Sequence, residues 1–283
     1  MMFRLRKQKP ACTEIGRVAR ELIDDTIAHI APFSAPEGES VHKARKNIKK
    51  LRAILRLIRR QMGSEASKRE DQCLRGVGRY LSSIRDAQVR LKTFQKLQGE
   101  TQNKAAKSFQ GRLMQDRERS FRKLHNRRGL ERRIADLKSV RRRIQNWTSK
   151  ELKKSDLKKN LRRIYKRSQR DFHIARKEGD TLSLHESRKR AKDLWYVLCL
   201  LKSEHPKKMK ALADDMKDFT EQLGQALDLT LLKRTLDDPR LTHEARSDLQ
   251  KIKTLIQIER AEQQKNALKL GKKFFSKPPR SFA

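Results

Sequence analysis

The sequence predicts an all-α protein made of two helical bundles related by an internal pseudo-two-fold axis. Three observations carry this expectation. No proline falls between Glu37 and His205, and a proline inside a helix costs about 3 kcal/mol. Leu, Lys, Arg, Glu, Gln and Ala dominate, and apolar residues recur at spacings of three and four, the period of a helix with one buried face. The chain also repeats itself. VHKARKNIKKLRAILRLIRR, starting at Val41, returns as LHESRKRAKDLWYVLCLLK at Leu184, 143 residues later. A second match follows in the same order: IRDAQVRL with Asp86, and GQALDLTLL with Asp228. Two copies of one multi-helix unit account for the 283 residues better than one large core.

Punctuation divides the chain into elements. A first helix over about 12–31 ends before Pro32, and APFSAPEGES forms a loop. A second runs over about 40–61 to Met62-Gly63. A third covers about 67–97, weakened at Gly76 and Gly78, and stops at Gly99. The basic stretch 102–146 holds one or two helices with a break at 126–129. Helices over about 153–177, 182–203, 207–235 and 241–270 follow, and the tail GKKFFSKPPRSFA is loosely held. The boundary between copies falls near 148–152, giving a first bundle over 1–150 and a second over 151–283.

Charge narrows the function. Lys+Arg is 72 against Asp+Glu 34, a net charge of +38, which points to a polyanionic partner. No apolar run approaches the roughly 18 residues of a membrane span, so membrane insertion is excluded. MMFRLRKQKP is not followed by an apolar signal-peptide core. Cys12, Cys73 and Cys199 lie far apart with no CxxC, which rules out a disulfide scaffold and a cysteine zinc site and suits a reducing cytoplasm. A cytoplasmic protein is the expectation.

The first repeated helix carries two adjacent stripes. Val41, Ala44, Ile48, Leu51, Leu55 and Ile58 form an apolar face. One position along, His42, Arg45, Lys49, Arg52, Arg56 and Arg59 form a cationic one, about 100° round the helix. From 42 to 60 there are nine Lys/Arg and no acid. A solvated face usually mixes signs, and like charges at i,i+4 cost a few tenths of a kcal/mol per pair. A bound polyanion would offset that cost. The second copy keeps His185, Arg188 and Lys192, flanked by Lys189 and Arg190, and then reads Trp195 and Cys199. The helix before it adds Arg162, Arg163, Lys166, Arg167 and Arg170 as a second basic surface. The arginines of 112–143 show no periodicity that makes a site. The paired histidines read as anion donors. Metal binding is not expected, because HxxxH and HExxH are absent and the neighbours are cations.

Taken together, VHKARKNIKKLRAILRLIRR, IRDAQVRL, LHESRKRAKDLWYVLCLL and LGQALDLTLL resemble the CHAD family, the conserved histidine α-helical domain. LRRIYKRSQRDFHIAR and KLGKKFFSKPPRSF look like it too, so the similarity covers about 10–280. The resemblance implies two four-helix bundles with pseudo-two-fold symmetry and a basic surface between them. It implies binding of inorganic polyphosphate and, for some members, association with polyphosphate granules. Carried over by position, the phosphate-facing residues are His42, Arg45, Lys49, Lys50 and Arg52, then His185, Arg188, Lys189 and Lys192. Arg56, Arg162, Arg163, Lys166 and Arg170 extend that surface on the residue reading. Where many second copies carry Arg, this chain has Trp195. Asp86 and Asp228 are expected to orient basic side chains, not to catalyse.

The residues favour a chain of linked phosphates over nucleic acid. Such a chain is denser in charge than a nucleic-acid strand, whose phosphates rise by roughly 3.4 Å, and it has no bases to stack. Aromatics are only 5% of the chain, whereas readers of single strands need stacking platforms. A basic nucleic-acid-binding protein is the alternative. Catalysis on phosphoanhydrides would need a P-loop or metal-holding carboxylates. No GxxxxGK[ST] occurs, so a non-catalytic binding module without a cofactor is expected, and no protein partner can be inferred.

Overall fold

The computed structural model describes residues 3–31, 38–98, 104–124, 127–147, 152–238, 249–276 and 278–279. Side chains 123–127 lie outside the description, as do most of the APFSAPEGES loop, 148–151 and 241–248. Ten α-helices and one short 3-10 turn make up the described chain, with no strand among the described residues. They are α1 (Ala11–Ile30), α2 (Gly38–Met62), α3 (Ser64–Tyr80), α4 (Ser82–Gln98), α5 (Lys104–Leu124) and α6 (Arg127–Arg143). Then come α7 (Lys154–Glu178), α8 (Thr181–Leu200), α9 (Pro206–Leu236) and α10 (Gln250–Phe275). No helix among the described residues is long and apolar enough to cross a membrane.

Local chemistry explains the ends. Gly63 (φ 80°) separates α2 from α3, and Gly179 (φ 66°) closes α7 in the left-handed region where a side chain would be strained. The Asp180 carboxylate then caps α8, accepting from the Leu182 and Ser183 N–H groups at 2.7 and 3.0 Å. Pro206 opens α9 at its first turn, where no N–H is needed.

The packing is a ring of α1, α2, α3 and α6, and a second ring of α7, α8, α9 and α10. The α4–α5 hairpin leaves the first ring. Its Leu91, Phe94, Phe109 and Leu113 share a separate core with Leu232 and Leu236 of α9 and Ile252 and Ile256 of α10. The main hydrophobic cluster draws on both halves of the chain, from Leu5 to Phe275. At the centre α2 touches α1, α3, α4, α7 and α8. The predicted stripe Val41, Ala44, Ile48, Leu51, Leu55 and Ile58 is buried, and so are Ala53, Ile54 and Leu57. With several faces of α2 packed, its cations share the remaining surface.

Two boundaries differ from expectation, while the 102–146 stretch, expected to hold one or two helices, parts near the expected break. The 67–97 segment is two helices broken at Leu81, not one weakened at Gly76 and Gly78. There the Gly78 carbonyl accepts from Arg45 Nη1 at 3.1 Å and Ser82 Oγ at 3.2 Å, so side chains from α2 and α4 compete for a helical acceptor. The 102–146 stretch contains two helices. The tail is not loose as far as Phe275. Phe274 and Phe275 are 3% and 2% exposed, and the Phe275 ring packs against Tyr165, Phe172 and Phe219. Gly271 allows that closure, since a Cβ there would lie 2.2 Å from the Phe172 ring.

Candidate functional site

Because α2 packs on α8, the two repeated cation rows meet. Lys49 lies at the convergence. The residue is exposed as a whole, yet burial of its ammonium, then Arg188, Arg45, Lys192 and Arg85, push its pKa down to about 7. Lys192 falls to about 8, through burial and then Arg188, with Glu221 opposing and Lys46 adding to the fall. His42 falls to about 4 through burial and then Arg85. His185 is lowered too, by burial and then Lys189 and Arg188. Cations of α2, α4 and α8 therefore lie close enough to sense one another around Lys49. Burial is the larger cause of each depressed value and repulsion between the cations the smaller, and a bound anion would relieve the repulsion.

The two arginines of the rows are anchored in parallel fashion. Arg45 Nη1 donates to Gly78 O and to Ser82 Oγ at 2.8 Å, while Arg188 Nε donates to Thr220 O at 3.3 Å. Arg188 lies so close over Gly224 that a Cβ there would be 2.6 Å from Nη2. Both guanidinia are thus positioned by the helix that follows them. Asp86 and Asp228 are their electrostatic neighbours. Asp86 favours the charged form of Arg45, and Asp228, raised by burial, is drawn back down by Arg188 and Arg85. The histidines sit about one turn inside their helices, not at the first residue, since α2 begins at Gly38 and α8 at Thr181.

The other sequence candidates occupy different surroundings. Lys50 lies over the Phe3 ring at 4.8 Å, beside Lys46, and Lys192 lies over Trp195 at 4.0 Å. Lys189 is exposed and bonded to Glu186 at 2.5 Å. Arg52 grips Asp71 with two bonds of 2.8 and 3.3 Å. Arg56 reaches Asp193 at 3.1 Å and Asp71 at 3.8 Å. The middle of the α2 row is therefore neutralised by carboxylates. On α7, Arg163 and Lys166 are exposed, Arg162 is half-buried and Arg170 pairs with Asp171 at 2.8 Å. Arg163 has its pKa lowered by burial and then by Arg60 and Arg59, so it belongs with the end of α2.

Arg85 was not among the sequence candidates, although it sits in the IRDAQVRL motif. The repeat could not flag it, because Leu227 stands at the matching place in the second copy. Only the packing of α4 against α2 brings it beside His42 and Lys49.

Burial, and after it the crowding of cations, sets a pH dependence for the empty protein. Lys49 and Lys192 have folded pKa values near 7 and 8, against about 10.4 unfolded. Between those limits the folded state holds fewer protons than the unfolded one, so stability rises with pH. The melting temperature is expected to climb from pH 7 to 9.5, and Lys49→Met to flatten the climb. Thermal scans across that range check it; a falling profile would contradict the crowding.

Fold and site together define an all-α protein in which cations from α2, α4 and α8 converge near Lys49. The CHAD domain model matches residues 17–237, and the chain belongs to the CHAD domain family. The crystal structure of the CHAD domain from the plant Ricinus communis is similar with a TM-score of 0.72 at 14% identity, covering 98% of this chain and 95% of that chain. At that identity the likeness speaks for the fold. No curated protein matches this sequence.

Proposed function

We propose that this protein binds inorganic polyphosphate in the groove between α2 and α8, as a non-catalytic module. The observation that carries the reading is the crowding at Lys49. Burial first, and then four cations from α2, α4 and α8, depress its pKa, and no ion pair among the described residues involves it. A run of linked phosphates offers an acceptor to each of them at once. Arg supplies forked donors and Lys a mobile point charge. The groove members combine Lys, Arg and His, with no exposed aromatic row to stack bases among the described residues. In this reading the copies 1–150 and 151–283 form two four-helix bundles about a pseudo-two-fold axis passing near Lys49 and Lys192. A cytoplasmic location, with association to polyphosphate granules, fits the same ligand.

Competition tests the reading. With a labelled long polyphosphate bound at fixed salt, unlabelled polyphosphate is expected to displace it at phosphate equivalents where RNA and DNA do not. Equal displacement by RNA would move the assignment to the nucleic-acid alternative. Affinity is expected to fall steeply with salt, since counterion release drives binding to a polyanion.

A further inference from the structure

The cationic row of α2 does not end at the groove. Lys49, Arg52, Arg56 and Arg60 lie on one line of the helix, since positions 49 and 60 differ by only about 20° round the axis and about 16 Å along it. The structure divides this line into three parts. Around Lys49 the cations face one another. At Arg52 and Arg56 they are matched by Asp71 and Asp193, and Arg190 adds contacts to Asp171 and Asp193 at 3.3 and 3.6 Å. At Arg59 and Arg60 they are exposed again, and no ion pair among the described residues involves either.

That far end is built, not merely charged. Asn160 of α7, 2% exposed, donates through Nδ2 to the Leu57 carbonyl at 2.7 Å and to Gln61 Oε1 at 3.0 Å. Its Oδ1 accepts from Arg163 Nη2 at 2.5 Å. One buried amide thus locks α7 onto the last turn of α2 and holds Arg163 beside Arg59 and Arg60. Arg167, one turn further along α7, stands next to Arg190 and Asp193, so it flanks the neutralised middle.

We infer that Arg59, Arg60 and Arg163 form a second phosphate subsite that takes the same chain as the groove once the chain is long enough, so that the protein discriminates by polyphosphate length. The inference rests on the polyphosphate reading above. Its occupant follows from the chemistry: a cluster of exposed guanidinia with fixed forks suits phosphate oxygens. Its separation follows from the helix. Linked phosphates repeat at less than the roughly 3.4 Å of a nucleic-acid strand, so crossing about 16 Å takes at least about five of them. A triphosphate fills one subsite or the other. A chain of fifteen or more spans both, and the second contact becomes intramolecular, which multiplies affinity by about 10²–10⁴ without new contacts.

The experiment is calorimetric titration with tripolyphosphate and with chains of about 15 and about 60 phosphates, on the full-length protein and on Arg60→Glu combined with Arg163→Glu. Groove affinity for tripolyphosphate serves as the control for folding. The unmodified protein is expected to bind the 15-mer at least tenfold more tightly per chain than tripolyphosphate, and the double variant to lose most of that step while its groove still takes tripolyphosphate. Arg59→Glu, at an exposed position without the Asn160 bond, is expected to lower the step in the same direction. A length step that survives in the variants overturns the inference alone. So does an equal loss for short and long chains. Absence of binding at every length overturns the polyphosphate reading and this inference with it.

Discussion

Lys49→Glu combined with Lys192→Glu is expected to weaken polyphosphate binding by at least about 100-fold at 0.1 M salt while raising the melting temperature of the empty protein. Each lysine supplies a charge-assisted contact worth about 1.5–3 kcal/mol, and tenfold in affinity is about 1.4 kcal/mol. Reversal adds repulsion to the lost contact. The slope of log K against log salt is expected to fall by about one per phosphate contact removed. The stability change has the opposite sign. Lys49 is held among Arg45, Arg85, Arg188 and Lys192, so a carboxylate there would pair where an ammonium repels. Opposite movements of binding and stability mark a site strained for its ligand. Calorimetry and thermal scans on the same samples check both. A variant that lost binding and stability together would show instead that Lys49 is a structural element. These lysines are cleaner probes than Arg45, whose guanidinium also ties α2 to Gly78 and Ser82.

Glu70→Ala is expected to destabilise the fold by about 1.5–3 kcal/mol, the worth of charge-assisted hydrogen bonds from the partly exposed Arg143 to a buried carboxylate. Glu70 is 0% exposed on α3. Its carboxylate accepts from Arg143 Nε and Nη2 at 2.7 and 2.9 Å, and from Arg69 Nε at 3.1 Å. The bidentate bond fastens α6 to α3 and raises the Arg143 pKa. In the alanine variant Arg143 keeps its bond to Ser139 Oγ but loses its counter-charge. Glu70→Gln retains one acceptor and is expected to fall between. Urea unfolding with an unchanged m value would locate the loss in the native state. A change below about 1 kcal/mol would mean that Arg143 relaxes fully to solvent.

The arginines of 112–143 gain a meaning here that periodicity does not reveal. Arg143 pairs with Glu70, Arg141 with Asp24, and Arg112 with Asp238. Their partners, on α1, on α3 and just past the end of α9, lie elsewhere in the chain, so spacing along the segment carries no trace of them. The same holds for Arg52 and Arg56. On paper they continue the row from Arg45 and Lys49 without interruption. In space Asp71 comes from α3 and Asp193 from α8, and their carboxylates neutralise the middle of the row.

The sequence alone determined that the chain is helical, which faces of its helices are apolar, and that one cationic row occurs twice. Those properties are local: helical period, proline placement and self-similarity are read within one element at a time. Tertiary packing decided the rest. It set α2 against α8 so that Lys49 meets Lys192, brought Arg85 in from a helix whose repeat partner carries leucine, and matched part of the α2 row with acids from α3 and α8. Whether a cation is repelled, paired or free depends on charges within a few ångströms, and those come from segments that only the packed core brings together.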